Sequence, residues 1–214
     1  MHQRSMAPAV PGKFRCRLAC LGALGGVVAA AVVAGLVATP AAAAGCPPPP
    51  PPVHPFTPWG DSSTYVLTSG GSFEKSGPDG WSLSGGARIV QGNEPWFVNS
   101  ASDHQSLYLP AGASATSGCT SAPMITSIVR FFANNVGSAS GGIHVEVIVN
   151  DGKNGILDGG VLSPSAGWSP TSPIDVPWPN PLKGAVQLQV RLTAVGSHAA
   201  FDIDDAYLDP IKNQ

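Results

Sequence analysis

From residue 56 onward the chain alternates apolar and polar positions in short runs, and clusters of Gly, Ser, Pro, Asn and Asp separate the runs. A period of two marks a strand with one face on a core and the other in water. Two runs carry it cleanly. Ile143, Val145, Val147 and Val149 alternate with His144, Glu146 and Ile148; Val186, Leu188, Val190 and Leu192 alternate with Gln187, Gln189 and Arg191. The predicted strands are 64–68, 71–75, 80–84, 87–91, 106–109, 113–117, 125–134, 142–149, 155–162, 173–176, 184–194 and 199–208. Outside the N-terminal leader no window holds a 3.6-residue period for three turns. Short strands punctuated by turn residues predict an all-β fold, an antiparallel β-sandwich. About ten strands over about 160 residues fit a jelly roll better than a seven-stranded immunoglobulin sandwich.

The N-terminus reads differently. Residues 18–38, LACLGALGGVVAAAVVAGLVA, are apolar and uncharged; Lys13, Arg15 and Arg17 precede them and ATPAAAAG follows. That order predicts an N-terminal signal helix within a signal peptide spanning 1–44, cut after Ala44, and hence a secreted protein. A single membrane anchor is the alternative, since the run is long enough to span. Cleavage would leave no membrane span. Residues 45–55 hold six consecutive prolines, which force a stiff polyproline II rod, so they form a proline-rich linker before the domain at 56–210 and a tail at 211–214. All thirteen Asp and Glu but only seven of the eleven Lys and Arg lie beyond the leader, a net charge of −6 for the exported part. No Lys/Arg cluster follows residue 17, which argues against nucleic acid as a partner. Cys16 and Cys20 leave with the leader, and the remaining pair, Cys46 and Cys119, reads as one disulfide in an exported chain. Closing so long a loop stabilises by roughly 4 kcal/mol. Residues 43–46 also match a bacterial lipobox loosely, in which case Cys46 would carry a lipid anchor and Cys119 would stay free.

Three stretches, GSFE at 71–74, GWSLSGG at 80–86 and DIDDAYL at 202–208, together resemble the galactose-binding-like jelly roll of carbohydrate-binding modules of the family 4, 9 and 22 type. WGD at 59–61, GNE at 92–94, SLYLP at 106–110 and RFFANN at 130–135 also resemble exported proteins of GC-rich actinobacteria. The first resemblance implies that the two terminal strands lie side by side and hold a structural calcium ion, with Glu74 and an aspartate of the last strand as ligands. Calcium takes six to eight oxygens. Glu74 with Asp202, Asp204 or Asp205 would supply the carboxylates. Alternation sets Phe201, Ile203 and Asp205 on one face of the last strand and Asp202 and Asp204 on the other, which makes Asp205 the preferred partner. A local ion pair of Glu74 with Lys75 or Arg88 is the alternative.

Chemistry is sparse. The chain has no Gly-x-Ser-x-Gly, no zinc-spaced histidine pair and no EF-hand spacing. The expectation is therefore a non-enzyme. Glu94 and Asp103 are the only acids flanking an aromatic-rich segment, which keeps the paired carboxylates of glycoside hydrolysis open as an alternative. A sugar site needs an aromatic platform and a few polar groups. Trp81 is expected in the core, Trp59 near the disulfide, and Trp168 and Trp178 in loops. Trp96 and Tyr108 are the candidate stacking residues, with Asn93, Glu94 and Gln105 as hydrogen-bonding partners. The resulting expectation is a secreted, non-catalytic domain that binds a polysaccharide or glycan. A structural or adhesive surface protein that binds a protein or an envelope component is the rival.

Overall fold

The computed structural model describes residues 46–75, 80–123, 127–150, 155–176 and 185–209. The segments expected to be a leader with its cleavage site and a tail lie outside them, as does Trp178. Thirteen strands are described. In chain order they begin with β1 (Val66–Leu67), β2 (Ser82–Ser84), β3 (Arg88–Gln91), β4 (Gln105–Pro110) and β5 (Ser114–Thr116). There follow β6 (Thr120–Pro123), β7 (Ser127–Asn135), β8 (Gly142–Val149) and β9 (Gly155–Leu162). The last are β10 (Ser169–Pro170), β11 (Ile174–Val176), β12 (Ala185–Val195) and β13 (Ala200–Asp209). One sheet runs β10-β7-β13-β4-β3, with β1 added to β13 and β11 to β7; the other runs β2-β5-β12-β8-β9, with β6 added to β12. Every pairing described is antiparallel, and the two sheets stack as a jelly-roll sandwich.

The alternating residues build the core between the sheets. Leu107, Leu109, Phe131, Ala133, Phe201 and Ile203 from one sheet meet Ile143, Val145, Val147, Leu188, Val190 and Leu192 from the other. Trp81 joins them as expected, tilted against Phe73 at 5.1 Å. A second, smaller cluster sits outside the first sheet. Phe56, Tyr65, Ile128, Phe132 and Tyr207 pack there, with Trp59, Leu67, Val98 and Trp168 around them. Phe131 and Phe132 are adjacent and both fully buried, so β7 is covered on its two faces.

The proline-rich segment belongs to this body. Cys46 is bonded to Cys119, Ser121 N donates to Pro47 O, and Val53 bridges to Tyr65. A chain that is stiff by composition is thus laid along the domain, held at both ends.

Two expectations fail for backbone reasons. Residues 71–75 form a turn, not a strand. Gly70 and Phe73 have positive φ (68° and 58°), and a Cβ on Gly71 would lie 2.6 Å from Ala206 O. The turn is closed by Gly71 N to Thr68 O and packs on β13 through Thr68 N to Ala206 O and Ala206 N to Gly71 O. The parity of β13 also fails. Its pairing with β7 shifts between Asp204 and Tyr207, and Asp205 has φ 46°. This bulge inserts one residue, so Ile203 and Ala206 both face the core while Asp204 and Tyr207 face outward.

Candidate functional site

The β3–β4 connection, residues 92–104, is closed by Gly92 N donating to His104 O. Its backbone is fixed from below by carboxylates. Glu94 N donates to Asp204 Oδ2 at 3.1 Å, and Asn99 N to Asp205 Oδ2 at 3.1 Å. Glu94 turns back on its own loop, accepting the amide of Trp96 on Oε2 at 2.6 Å and that of Val98 on Oε1. Asn99 Nδ2 donates to Asp103 Oδ2 at 2.9 Å. Glu74 Oε1 accepts the amides of His104 and Gln105 at 2.7 and 2.6 Å. The bulge at Asp205 and the turn at 70–74 bring these acids together.

Electrostatics follow from the crowding. Glu94, Asp103, Asp204 and Asp205 are all buried. Burial first, then the neighbouring Asp205 and Glu94, pushes the Asp204 carboxyl far above the usual range. Burial, then Glu94, Asp103 and Glu74, does the same to Asp205. Burial also raises Asp103. Two oxygens, Glu74 Oε2 and Asp205 Oδ1, are buried with no hydrogen-bond partner. His104 Nδ1 stands 2.9 Å from Glu74 Oε2, an ion-pair contact without hydrogen-bond alignment, and it also lies 3.0 Å from Ser102 O. Among the described residues no three His, Cys, Asp or Glu side chains converge as a metal cage by themselves.

Above the acids the loop presents aromatic rings. Trp96 is 45% exposed and Phe97, held at φ 53°, is 47% exposed. Trp96 meets Trp59 edge-on at 5.0 Å and Phe132 at 5.7 Å. Trp59, expected near the disulfide, packs here instead, in the 3-10 turn Thr57–Trp59. Beside these rings the outer face of the same sheet carries a cross-strand row, Arg88, Tyr108, Asp202 and Asn134. The Arg88 guanidinium lies 4.1 Å over the Tyr108 ring, so one face of that ring is already covered. Burial raises the Asp202 carboxyl and Arg88 opposes the rise.

Trp96 and Tyr108 therefore share one sheet face, whereas Gln105 has the parity of the core residues Leu107 and Leu109 in β4 and does not point outward with Tyr108. Asn93 Nδ2 donates to Glu94 O and Gln105 N to Glu74, while both side chains remain half-buried. Glu94 is different. It is 1% exposed with both oxygens taken by loop amides, so its carboxylate faces the protein and not a ligand. The sequence does not point to Phe97 as a site residue, and it offers Asp202 only as a calcium ligand and Arg88 only as a partner of Glu74, not as members of this face. The cross-strand register that aligns Arg88 with Tyr108 and Asp202 depends on pairings between strands far apart in sequence. Of the described cavities, one borders the turn that carries Glu74, lined by Gly70, Ser72 and Lys75 among others, and the others lie elsewhere. One of about 440 Å³ runs between Gly159–Leu162 and the Ser163–Asp175 segment, lined mostly by Ser, Thr and Pro with Val161, Leu162, Ile174 and Asp175.

No family model matches the chain, and no curated protein matches it. Among solved structures, a family 61 carbohydrate-binding module in complex with β-1,4-galactotriose is 17% identical; the match covers 68% of this chain and 98% of that one, with a TM-score of 0.45. A xylan-binding family 22 module from Paenibacillus barcinonensis is 15% identical over 67% of this chain and 93% of that one, TM-score 0.44. A cyclase from Fischerella sp. is 13% identical over 70% and 98%, TM-score 0.45. Such values describe a shared strand arrangement and nothing of the ligand.

Proposed function

We propose that this domain is an exported, non-catalytic glycan-binding module whose platform is the Trp96–Phe97 loop. One observation carries the reading: two large rings stand nearly half exposed on a loop whose backbone amides are fixed by buried carboxylates. A ring held in place before binding loses little freedom on stacking against a sugar. Arg88, Asp202 and Asn134, on the same face, are suited to sugar hydroxyls. Both Trp96 and Phe97 contribute apolar area, and Tyr108, stacked under Arg88, serves through its hydroxyl and outer edge. Retention of the disulfide-bonded domain on a panel of polysaccharides tests this. Trp96→Ala should weaken retention on the bound polymer at least tenfold with folding intact. A folded domain that no polymer retains would transfer the reading to its rival, an adhesive surface protein. The rival draws on the same exposed rings of Trp96 and Phe97, which a protein surface could equally cover.

We also propose a structural calcium ion at Glu74 and Asp205. The donor set fits: two buried carboxylate oxygens lack hydrogen-bond partners, in a cluster whose mutual repulsion a cation relieves. Calcium would neutralise these acids and tie the 70–74 turn to β13. Backbone carbonyls and water would complete its shell, because the side chains alone do not. A calcium titration followed by calorimetry, with chelator as control, checks this. Asp205→Asn should abolish the heat of binding, and an unchanged heat would move the ion elsewhere.

A further inference from the structure

The carboxylate cluster and the aromatic platform are one construction. Of the loop between β3 and β4, the amides of Glu94, Trp96, Val98 and Asn99 all end on Asp204, Glu94 or Asp205. Glu94 holds the two amides that flank Phe97, the residue at φ 53°. A left-handed phenylalanine is unfavourable by itself and persists only where its surroundings over-determine it. Releasing those two amides removes that restraint. Phe97 would return to an ordinary backbone conformation, and Trp96, next to it, would lose its edge-on contact with Trp59.

We propose that Glu94 is the positioning residue of the ligand platform: its carboxylate, bridging the amides of Trp96 and Val98, sets both exposed rings without touching the ligand. The proposal rests on the glycan reading for its use, but its geometry is testable with no glycan present. Trp59 and Trp96, at 5.0 Å and 81°, should give an exciton couplet in circular dichroism that Trp96→Ala abolishes. In Glu94→Gln an amide NH2 replaces one acceptor and faces a backbone N–H. The couplet should fall by at least half and polymer retention at least tenfold. Glu94→Asp, which reaches the nearer amide only, should be intermediate. A couplet of wild-type strength in folded Glu94→Gln would overturn the proposal. If that variant does not fold, amide exchange in the wild-type protein decides: the Trp96 and Val98 amides should exchange at least a hundredfold slower than free peptide, and rapid exchange at both would overturn it. A lost couplet in a protein that binds no polymer would sustain the positioning role and sink only the glycan reading.

Discussion

The two sheets turn opposite kinds of surface away from their common core. Outside the six-stranded sheet, polar side chains stand in cross-strand rows open to water. Arg191 grips Glu146 with two hydrogen bonds of 2.7 and 2.8 Å, His144 Nε2 meets Asp158 Oδ1 at 2.9 Å, and Ser84 meets Ser114 at 2.8 Å. Outside the seven-stranded sheet, the equivalent outward positions of β7 and β13 carry Ile128, Arg130, Phe132, Asp204 and Tyr207, and all are buried. The strands obey the same alternation on both sides. What differs is whether other segments fold over the face. The 53–65 segment and the β3–β4 loop cover one and leave the other bare, and the candidate site grows where the cover ends. A charge on the covered face must therefore be satisfied by protein, whereas a charge on the bare face that loses its partner can turn to water.

The largest effect should come from the covered ion pair. Arg130 is 5% exposed; its Nη1 meets Asp61 Oδ2 at 2.6 Å, its Nε donates to Thr171 O, and its guanidinium lies 3.9 Å over Phe56. Asp61→Ala leaves this charge buried beside an aromatic cluster, and should destabilise by about 3 kcal/mol in urea denaturation. The pH dependence has a definite sign. Burial raises the Asp61 carboxyl, but hydrogen bonds from Tyr65, Ser63 and Arg130 outweigh burial and hold it at about 2. An acid held below its unfolded value stabilises at pH above that value, and the contribution is lost as pH falls from about 4 towards 2. Wild-type stability should drop in that window, and the Asp61→Ala variant should drop less.

Next comes the junction of the two terminal strands. A Cβ on Gly71 would sit 2.6 Å from both Ala206 O and Thr68 Oγ1. Gly71→Ala should cost about 2 kcal/mol by forcing the turn off β13. If calcium occupies the Glu74–Asp205 site, saturating calcium should raise the melting temperature of the wild type, and the rise should shrink in Gly71→Ala because the turn that carries Glu74 has moved. An equal rise in both proteins would separate the ion from this turn.

The bare face was legible and the covered one only partly so. Strands 142–149 and 155–162 fall at their predicted bounds, and in the first the period of two shows on a surface that water touches. The run RFF in β7 is apolar on both sides, which signals two-sided burial but not what does the covering. DIDDAYL showed its acids and concealed their direction, since the bulge at Asp205 reverses the alternation and an aspartate tolerates the left-handed backbone there. GSFEK looked like a strand, although the Gly70–Gly71 pair was the available sign of a turn. β6 and β10 were missed because Thr-Ser-Ala-Pro and Ser-Pro carry no strand signal of their own; the strands beside them recruit them. The role of Glu94 was hidden for a related reason. A glutamate between Asn93 and Pro95 reads as exposed loop text, and its burial exists only once β13 lies beneath it.

The smallest effect should come from the bare face, and it makes the comparison quantitative. The hydrogen bond from Arg191, ahead of the opposing effect of burial, holds the Glu146 carboxyl below its usual range, so its contribution too is lost as pH falls. Yet Arg191 retains access to water, with its side chain 30% exposed. Glu146→Ala should therefore destabilise by less than about 1 kcal/mol, and a double-mutant cycle with Arg191→Ala should return a coupling of about 0.5 kcal/mol. The geometry of this pair is better than that of Asp61 with Arg130, having two hydrogen bonds to the carboxylate where the covered pair has one. Geometry alone would rank Glu146→Ala as the more damaging change. Burial ranks it as the milder one, because the arginine left behind can hydrate. Measuring both variants under one set of conditions sets the two rankings against each other. A larger loss for Glu146→Ala would mean that cover is not what distinguishes the two faces.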